Sequence, residues 1–166
     1  MKKERGNGAN VIVLSPTDEM LVVRQNYGEK KWMLPGGNIE RGESPRHAAQ
    51  EETEEEAGTL IDEKELKLIA CFVQRPNGIV FLYETRIFSG EILQEPTNEI
   101  IEVRFMSFEE IMERRETFGL GYMRMIVRYM RCKQGIDSIP YEGRLSDPVE
   151  YPKNLLAKYN DLVLSI

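Results

Sequence analysis

Apolar residues arrive in short blocks along the first third of this chain and then change to a helical period. Val11-Ile12-Val13-Leu14 is a β-branched run that stops at the turn cluster Ser15-Pro16-Thr17-Asp18, and Met20-Leu21-Val22-Val23 resumes it. Two such runs across a short turn predict a hairpin. A polar loop from Arg24 to Lys31 separates them from a brief strand, Trp32-Met33-Leu34, which Pro35 and the glycine pair Gly36-Gly37 end. Leu66 to Val73 and Ile79 to Phe88 read as partner strands around the turn Arg75-Pro76-Asn77-Gly78, and residues 100–106 form the last strand.

The helical stretches carry their own punctuation. Ser44 suits an N-cap, Pro45 the first helical position and Gly58 the residue past the end, so a helix is predicted over 45–57. Ala49, Thr53 and Ala57 recur every fourth residue and make a narrow stripe able to pack closely on a sheet. Ser107 with Glu110 three residues on is a capping box for a helix over 108–115. A third helix, 120–133, has Met123, Ile126, Val127 and Met130 as its core stripe, with Arg124, Arg128 and Arg131 expected as a solvated face. Tyr122, Met125 and Tyr129 widen its apolar surface enough for a homodimer contact or for packing by the end of the chain. Pro140, Gly143 and Pro148 make residues 136–151 an irregular arm, and Leu155, Tyr159 and Leu162 keep helical spacing in the tail. The order strands, helix, strands, helices predicts an α/β fold with a mixed sheet sandwiched between helices. One domain is expected, with a core over about 9–133 and a C-terminal arm over about 134–166.

Composition narrows the possibilities. At 166 residues with 41% hydrophobic and 30% charged positions, the chain can bury a core and is not of disordered type. A net charge of -6 argues against a general nucleic-acid binder. No apolar run approaches the ~20 residues of a membrane span. Cys71 and Cys132 match no metal spacing, and with no signal-like N-terminus a reduced cytoplasmic setting is expected. His47 is the only histidine and reads as a surface residue; with it alone neither a histidine-rich zinc site nor a Ser-His-Asp triad can be built. Gly119-Leu120-Gly121 follows no strand and reads as a turn, not a dinucleotide fingerprint.

One stretch holds the chemistry. From Glu51 to Glu56 only Thr53 is not a glutamate. At ~4 Å and an effective dielectric of ~20, each like-charge pair costs on the order of 4 kcal/mol, so solvent, raised pKa values or bound cations must offset the repulsion. Glu52, Glu55 and Glu56 stand at i, i+3 and i+4 and share one helical face. With carbonyls from the neighbouring glycine turn they make an oxygen-only donor set suited to magnesium or manganese. Gly37 lets the backbone approach a diphosphate closely.

Gly37, five residues, Glu43, seven residues, then Glu51-Glu52-Thr53-Glu54-Glu55-Glu56-Ala57-Gly58-Thr59 resembles the Nudix box, G-x5-E-x7-R-E-U-x-E-E-x-G-U, where U is a bulky aliphatic residue. Trp32 to Gly36 looks like the usual lead-in, and Glu99 to Phe105 like the family's segment after the box. The resemblance implies the Nudix fold and a magnesium-dependent hydrolase acting on a small-molecule nucleotide. Gly36, through its carbonyl, and Glu52, Glu55 and Glu56 would be metal ligands. Glu43 would support the loop and helix start. The general base would be Glu52 first, with Glu99 or Glu102 after it. Trp32 is either core or a base-stacking residue, and Tyr27, Phe72 and Tyr83 are weaker stacking candidates. Arg24 and Arg75 either meet phosphate or face solvent. The substrate expected is a nucleoside diphosphate linked to another group; a nucleoside triphosphate or an RNA 5′ end is the alternative.

The chain departs from the pattern at three places. Thr53 and Thr59 replace aliphatic residues, and Glu51 stands where the family carries an arginine that orients the acids. Arg46 is a candidate replacement cation. Without one, the alternatives are a nucleotide-binding regulatory module that has lost catalysis, or an acidic metal-binding protein with no phosphate substrate.

Overall fold

The computed structural model describes residues 6–74, 76–152 and 155–165, so Arg75 lies outside the described residues. In chain order the elements are β1 (Gly8–Val13), β2 (Met20–Gln25), β3 (Trp32–Met33), β4 (Gly36–Asn38), α1 (Pro45–Ala57), β5 (Leu60–Ile61), β6 (Lys67–Gln74), β7 (Gly78–Thr85), β8 (Phe88–Ser89), β9 (Ile100–Met106), α2 (Phe108–Glu113), α3 (Leu120–Lys133), β10 (Tyr141–Arg144), β11 (Val149–Glu150) and β12 (Val163–Leu164). A five-stranded mixed sheet in the order β10-β6-β7-β1-β4 forms the centre, beside a three-stranded antiparallel sheet, β3-β2-β9. Helices cover both sides, which makes the fold α/β with a mixed sheet between helices.

The expected hairpin between β1 and β2 does not form. β1 pairs in parallel with β7 and antiparallel with β4, whereas β2 pairs with β3 and β9. Only a single bridge, Leu14 to Met20, joins the two strands. The connecting turn is closed by the Ser15 N–H to the Glu19 carbonyl at 2.9 Å and carries Asp18 at a φ of 63°, so it passes the chain from one sheet to the other. Both strands are apolar on both faces, the mark of strands buried on two sides. In β1, Ala9, Val11 and Val13 pack with α1, while Ile12 packs with α2 and α3.

α1 has the predicted bounds because its end signals are local. The Ser44 hydroxyl accepts the His47 N–H at 3.1 Å, and Gly58, at a φ of 76°, donates its N–H to the Glu54 carbonyl at 2.9 Å. Ala48, Ala49, Thr53 and Ala57 are its buried positions, so a stripe of small side chains brings the helix axis close to the sheet and carries Glu52 and Glu56 with it.

The arm is more ordered than its prolines and glycine suggest. β10 adds to the edge of the mixed sheet in parallel with β6, and β11 pairs with β12. The tail forms a short 3-10 turn at Ala157–Tyr159 where helical spacing was expected. Tyr151 and Tyr159 cover the Met/Tyr side of α3 and α2, with Tyr151 stacked on Phe108 at 5.6 Å between centroids. Among the described residues, no helix is long and apolar enough to cross a membrane.

The arginines of α3 are not a solvated face. Arg124 is 6% exposed and Arg128 8%. Arg128 and Arg131 each donate to the Asp137 carboxylate at 2.8 Å, and the Arg128 guanidinium lies 4.1 Å from the centroid of Tyr141. The charges of Arg128 and Arg131 bind the arm, and a local charge pattern cannot announce a partner that arrives from a later loop. Burial alone would raise the Asp137 carboxyl, but hydrogen bonds from Arg131 and Arg128 outweigh it and hold it below its usual 3.8. Its contribution is therefore present above that pH and lost as pH falls through the lower, folded value. Asp137→Asn is expected to cost on the order of 2 kcal/mol at neutral pH, since it strands two largely buried guanidinium groups. Urea unfolding of both proteins should show this gap narrowing only below pH ~3.8; an equal gap at every pH would contradict the charged-pair account.

Candidate metal and phosphate site

Gly36 and Gly37 sit against α1 because nothing larger fits there. Gly36 holds a φ of 143°, and a Cβ on it would fall 2.2 Å from the Ala9 carbonyl oxygen. A Cβ on Gly37 would fall 2.4–2.8 Å from the carboxylate atoms of Glu52. Antiparallel pairing of β4 with β1, Asn10 opposite Gly36, fixes the glycine backbone in this place. The predicted turn is thus a strand, and its glycines are needed for close approach as well as for backbone freedom.

The Gly36 N–H donates to Glu56 Oε2 at 3.1 Å. Burial pushes the Glu56 carboxyl up to about 8; the Gly36 hydrogen bond works against this, while Glu52, Glu99 and Glu55 add to it. Glu52 is also raised, by burial first and then by Glu55, Glu51, Glu99 and Glu43. Glu55 is exposed beside both. The structure therefore brings Gly36, Gly37, Glu43, Glu52, Glu55, Glu56 and Glu99 into one neighbourhood. Among the described residues no lysine or arginine makes an ion pair with Glu52, Glu55 or Glu56. An all-carboxylate donor set on a packed helix, with two of its members half-buried, fits a hard divalent cation.

The remaining candidates divide. Glu99 ends the loop before β9; its carbonyl accepts the Asn26 N–H at 2.7 Å. Glu102 lies on β9 opposite Arg24 and lines a small cleft of about 120 Å³ with Ile92 to Glu95. Arg24 is half-buried and gives its Nε–H to the Lys30 carbonyl at 3.0 Å, bracing the loop. Trp32 is 4% exposed, with its ring 6.4 Å from that of Phe118. The indole belongs to the core and has no open face on which a base could stack. Glu43 closes its own loop, accepting the Glu40 N–H at 2.8 Å.

Arg46 does not replace the missing box arginine. Its guanidinium donates to the carbonyls of Leu66 and Glu63 and lies over Tyr83. Glu51 is exposed, one helical turn from His47, and donor atoms of Glu43, His47 and Glu51 lie within 4.8 Å of one another. His47 is exposed, as expected, and also meets Glu63 at 3.5 Å. Tyr27 was readable only as a stacking candidate, yet its phenol is raised by burial and then by Glu56 and Glu99, which places it at the rim of the acid cluster. No local pattern marks it, because the loop carrying it reaches the cluster only through the tertiary fold.

A sequence profile of the NUDIX domain matches residues 4–125. An ADP-ribose pyrophosphatase of Bacillus subtilis (strain 168) is 27% identical over 141 residues, covering 77% of this chain and 75% of that protein. A Caenorhabditis elegans protein bearing a nudix hydrolase name is 27% identical over 140 residues, 80% of this chain, but this stretch spans only 38% of the worm protein. In three dimensions the chain resembles the crystal structure of a NUDIX hydrolase from Nitrosomonas europaea, with a TM-score of 0.68 at 18% identity, covering 86% of this chain and 80% of that one. With the profile matched across most of its length and the box glycines and glutamates gathered at one place, the chain belongs to the NUDIX domain family.

Proposed function

We propose that this protein is a magnesium- or manganese-dependent hydrolase that cleaves the diphosphate of a nucleoside diphosphate linked to another group. The observation that carries this reading is the Glu56 carboxyl, half-buried beside the Gly36–Gly37 backbone among other carboxylates and held by one N–H. Glu52, Glu55, Glu56 and the Gly36 carbonyl would hold the cation. When bound, such a cation neutralises phosphate charge and makes water a better nucleophile. The bare backbone at Gly37 admits a diphosphate close to the helix. Water attacks one phosphorus, the anhydride P–O bond breaks, and the water's proton passes to a carboxylate. Glu52 is the first candidate for that role and Glu99 the second; Glu102 stands apart on its strand. The name of the Bacillus subtilis relative, an ADP-ribose pyrophosphatase, supports a linked nucleoside diphosphate. An RNA 5′ end is less favoured, because Arg124 and Arg128 are buried and Arg128 and Arg131 hold Asp137.

One observation favours a second reading. Glu51 replaces the family's arginine and adds to the charge on Glu52, with Arg46 engaged by the Leu66 and Glu63 carbonyls. On that reading the chain binds nucleotides as a regulatory module without turnover.

A panel of linked nucleoside diphosphates and triphosphates, assayed with magnesium and with manganese, separates the two. Metal-dependent turnover is expected, falling ~100-fold or more in Glu52→Gln and Glu55→Gln. Binding of panel members with no turnover of any would favour the module. The Glu56 carboxyl gives a further expectation. With its folded pKa near 8 and an ordinary value of 4.5, Glu56 keeps a proton that the unfolded chain gives up, so metal-free stability falls as pH rises between these values. In chelator, unfolding free energy should drop by on the order of a few kcal/mol from pH 5 to 8, and Glu56→Gln should flatten the profile. Identical profiles for the two proteins would contradict this placement of the proton.

A further inference from the structure

His47 and Glu51 stand one helical turn apart on α1, at i and i+4, where side chains meet. Glu43, from the loop before the helix, joins them, and one donor atom from each of the three lies within 4.8 Å of the others. The frame that carries them is fixed. Glu43 accepts the Glu40 N–H at 2.8 Å, and the Ser44 hydroxyl accepts the His47 N–H at 3.1 Å. A single imidazole makes no histidine-rich site, but with two carboxylates it makes a set of one nitrogen and two oxygens. A fourth residue points to a ligand from behind. Glu63 Oε2 lies 3.5 Å from His47 Nδ1, is closed off from solvent and accepts no hydrogen bond among the described residues. The Glu63 backbone is tied in place, its N–H donating to Gln50 Oε1 at 3.0 Å and its carbonyl accepting from Arg46 at 3.3 Å. A carboxylate oxygen held without a donor beside an imidazole is suited to receive the second ring N–H of a metal-bound histidine.

We propose that Glu43, His47 and Glu51 form a second cation site, apart from the oxygen-only set of Glu52, Glu55 and Glu56, and that it takes zinc. An imidazole nitrogen suits zinc, whereas magnesium keeps to oxygen ligands and its own waters. Zinc bonds of ~2.0–2.2 Å put tetrahedral donors roughly 3.3–3.6 Å apart. His47 and Glu51 are exposed, so their side chains close the remaining distance by rotation. Glu63 takes the Nδ1–H and leaves Nε2 to the metal, and water completes the coordination. The site also gives Glu51 a role, because the ion brings positive charge to the position where the Nudix box carries an arginine. Zinc binding depends on these four residues and not on the hydrolase reading.

His47 is the only histidine, so its imidazole signals in proton NMR report on the site directly. Chelator-treated protein is titrated with zinc near neutral pH, with millimolar magnesium present to fill the acid cluster. A single equivalent of zinc should shift the His47 signals to saturation, in wild type and in a Glu52→Gln, Glu56→Gln double variant alike. Competition with a chromophoric chelator should show zinc affinity falling ~10-fold or more in Glu51→Gln and His47→Gln, and about tenfold in Glu63→Gln. Zinc that leaves the imidazole signals in place, or that binds wild type and Glu51→Gln equally, overturns the site. Loss of the shift in the Glu52→Gln, Glu56→Gln variant overturns it as well, since the ion would then belong to the acid cluster. None of these readouts involves turnover, so their failure leaves the hydrolase reading standing, and absence of turnover leaves the zinc site standing.

Discussion

The Glu56 carboxyl is the point on which the rest of this structure bears. It is half-buried, has one backbone N–H to accept, and shares its surroundings with Glu52, Glu55 and Glu99. In a low-dielectric setting the group must keep its proton or find a cation. The fold accepts that cost instead of relieving it. The glycine pair leaves no room for a side chain that might separate the acids, and the small-residue stripe of α1 presses them toward β4. Arg46, the candidate replacement cation, is engaged instead by the Glu63 and Leu66 carbonyls and Tyr83. Packing therefore concentrates negative charge that, among the described residues, no lysine or arginine pairs with.

The same glycine strand separates two faces with different chemistry. Alternation along β1 sends Val11 and Val13 toward α1 and Ile12 toward α3. Asn10 follows the Ile12 side and gives its Nδ2 hydrogens to the carbonyls of Leu34 and Pro35. The arm lengthens the same sheet, with β10 paired to β6 and the Leu145 N–H given to the Val73 carbonyl. Arg128 and Arg131, by holding Asp137, fix the arm at the end of α3 that leads into this strand.

The elements legible from sequence are those whose signals lie within a few residues. Ser44, Pro45 and Gly58 mark α1 to the residue, and Ser107 with Glu110 marks the start of α2, where the serine hydroxyl accepts the Glu110 N–H at 3.1 Å. The acid triplet was legible for the same reason, since helical spacing alone gathers Glu52, Glu55 and Glu56. Pairing partners were not. β1 and β2 look like a hairpin because each is apolar and the turn is short, yet both are buried on two faces and belong to different sheets. The arginines of α3 look solvated because their partner Asp137 and the covering arm come later in the chain. Trp32 offered a core reading ahead of a stacking one, and its burial beside Phe118 bears out the core. Tyr27 was legible only as a stacking candidate, as its place beside Glu56 and Glu99 depends on contacts between distant segments.

The central claim is that carboxylate crowding at Gly36–Gly37 is relieved by a divalent cation. It is tested most directly by following the thermal unfolding midpoint of the metal-free protein at pH 8 as magnesium is added. Saturable binding to the folded state alone stabilises it by RT ln(1 + [L]/Kd), about 2.7 kcal/mol at ~100 Kd. The account predicts a midpoint that climbs with magnesium in the wild type and stays level in a Glu52→Gln, Glu56→Gln double variant. A midpoint insensitive to magnesium, or one that climbs equally in both proteins, would contradict it.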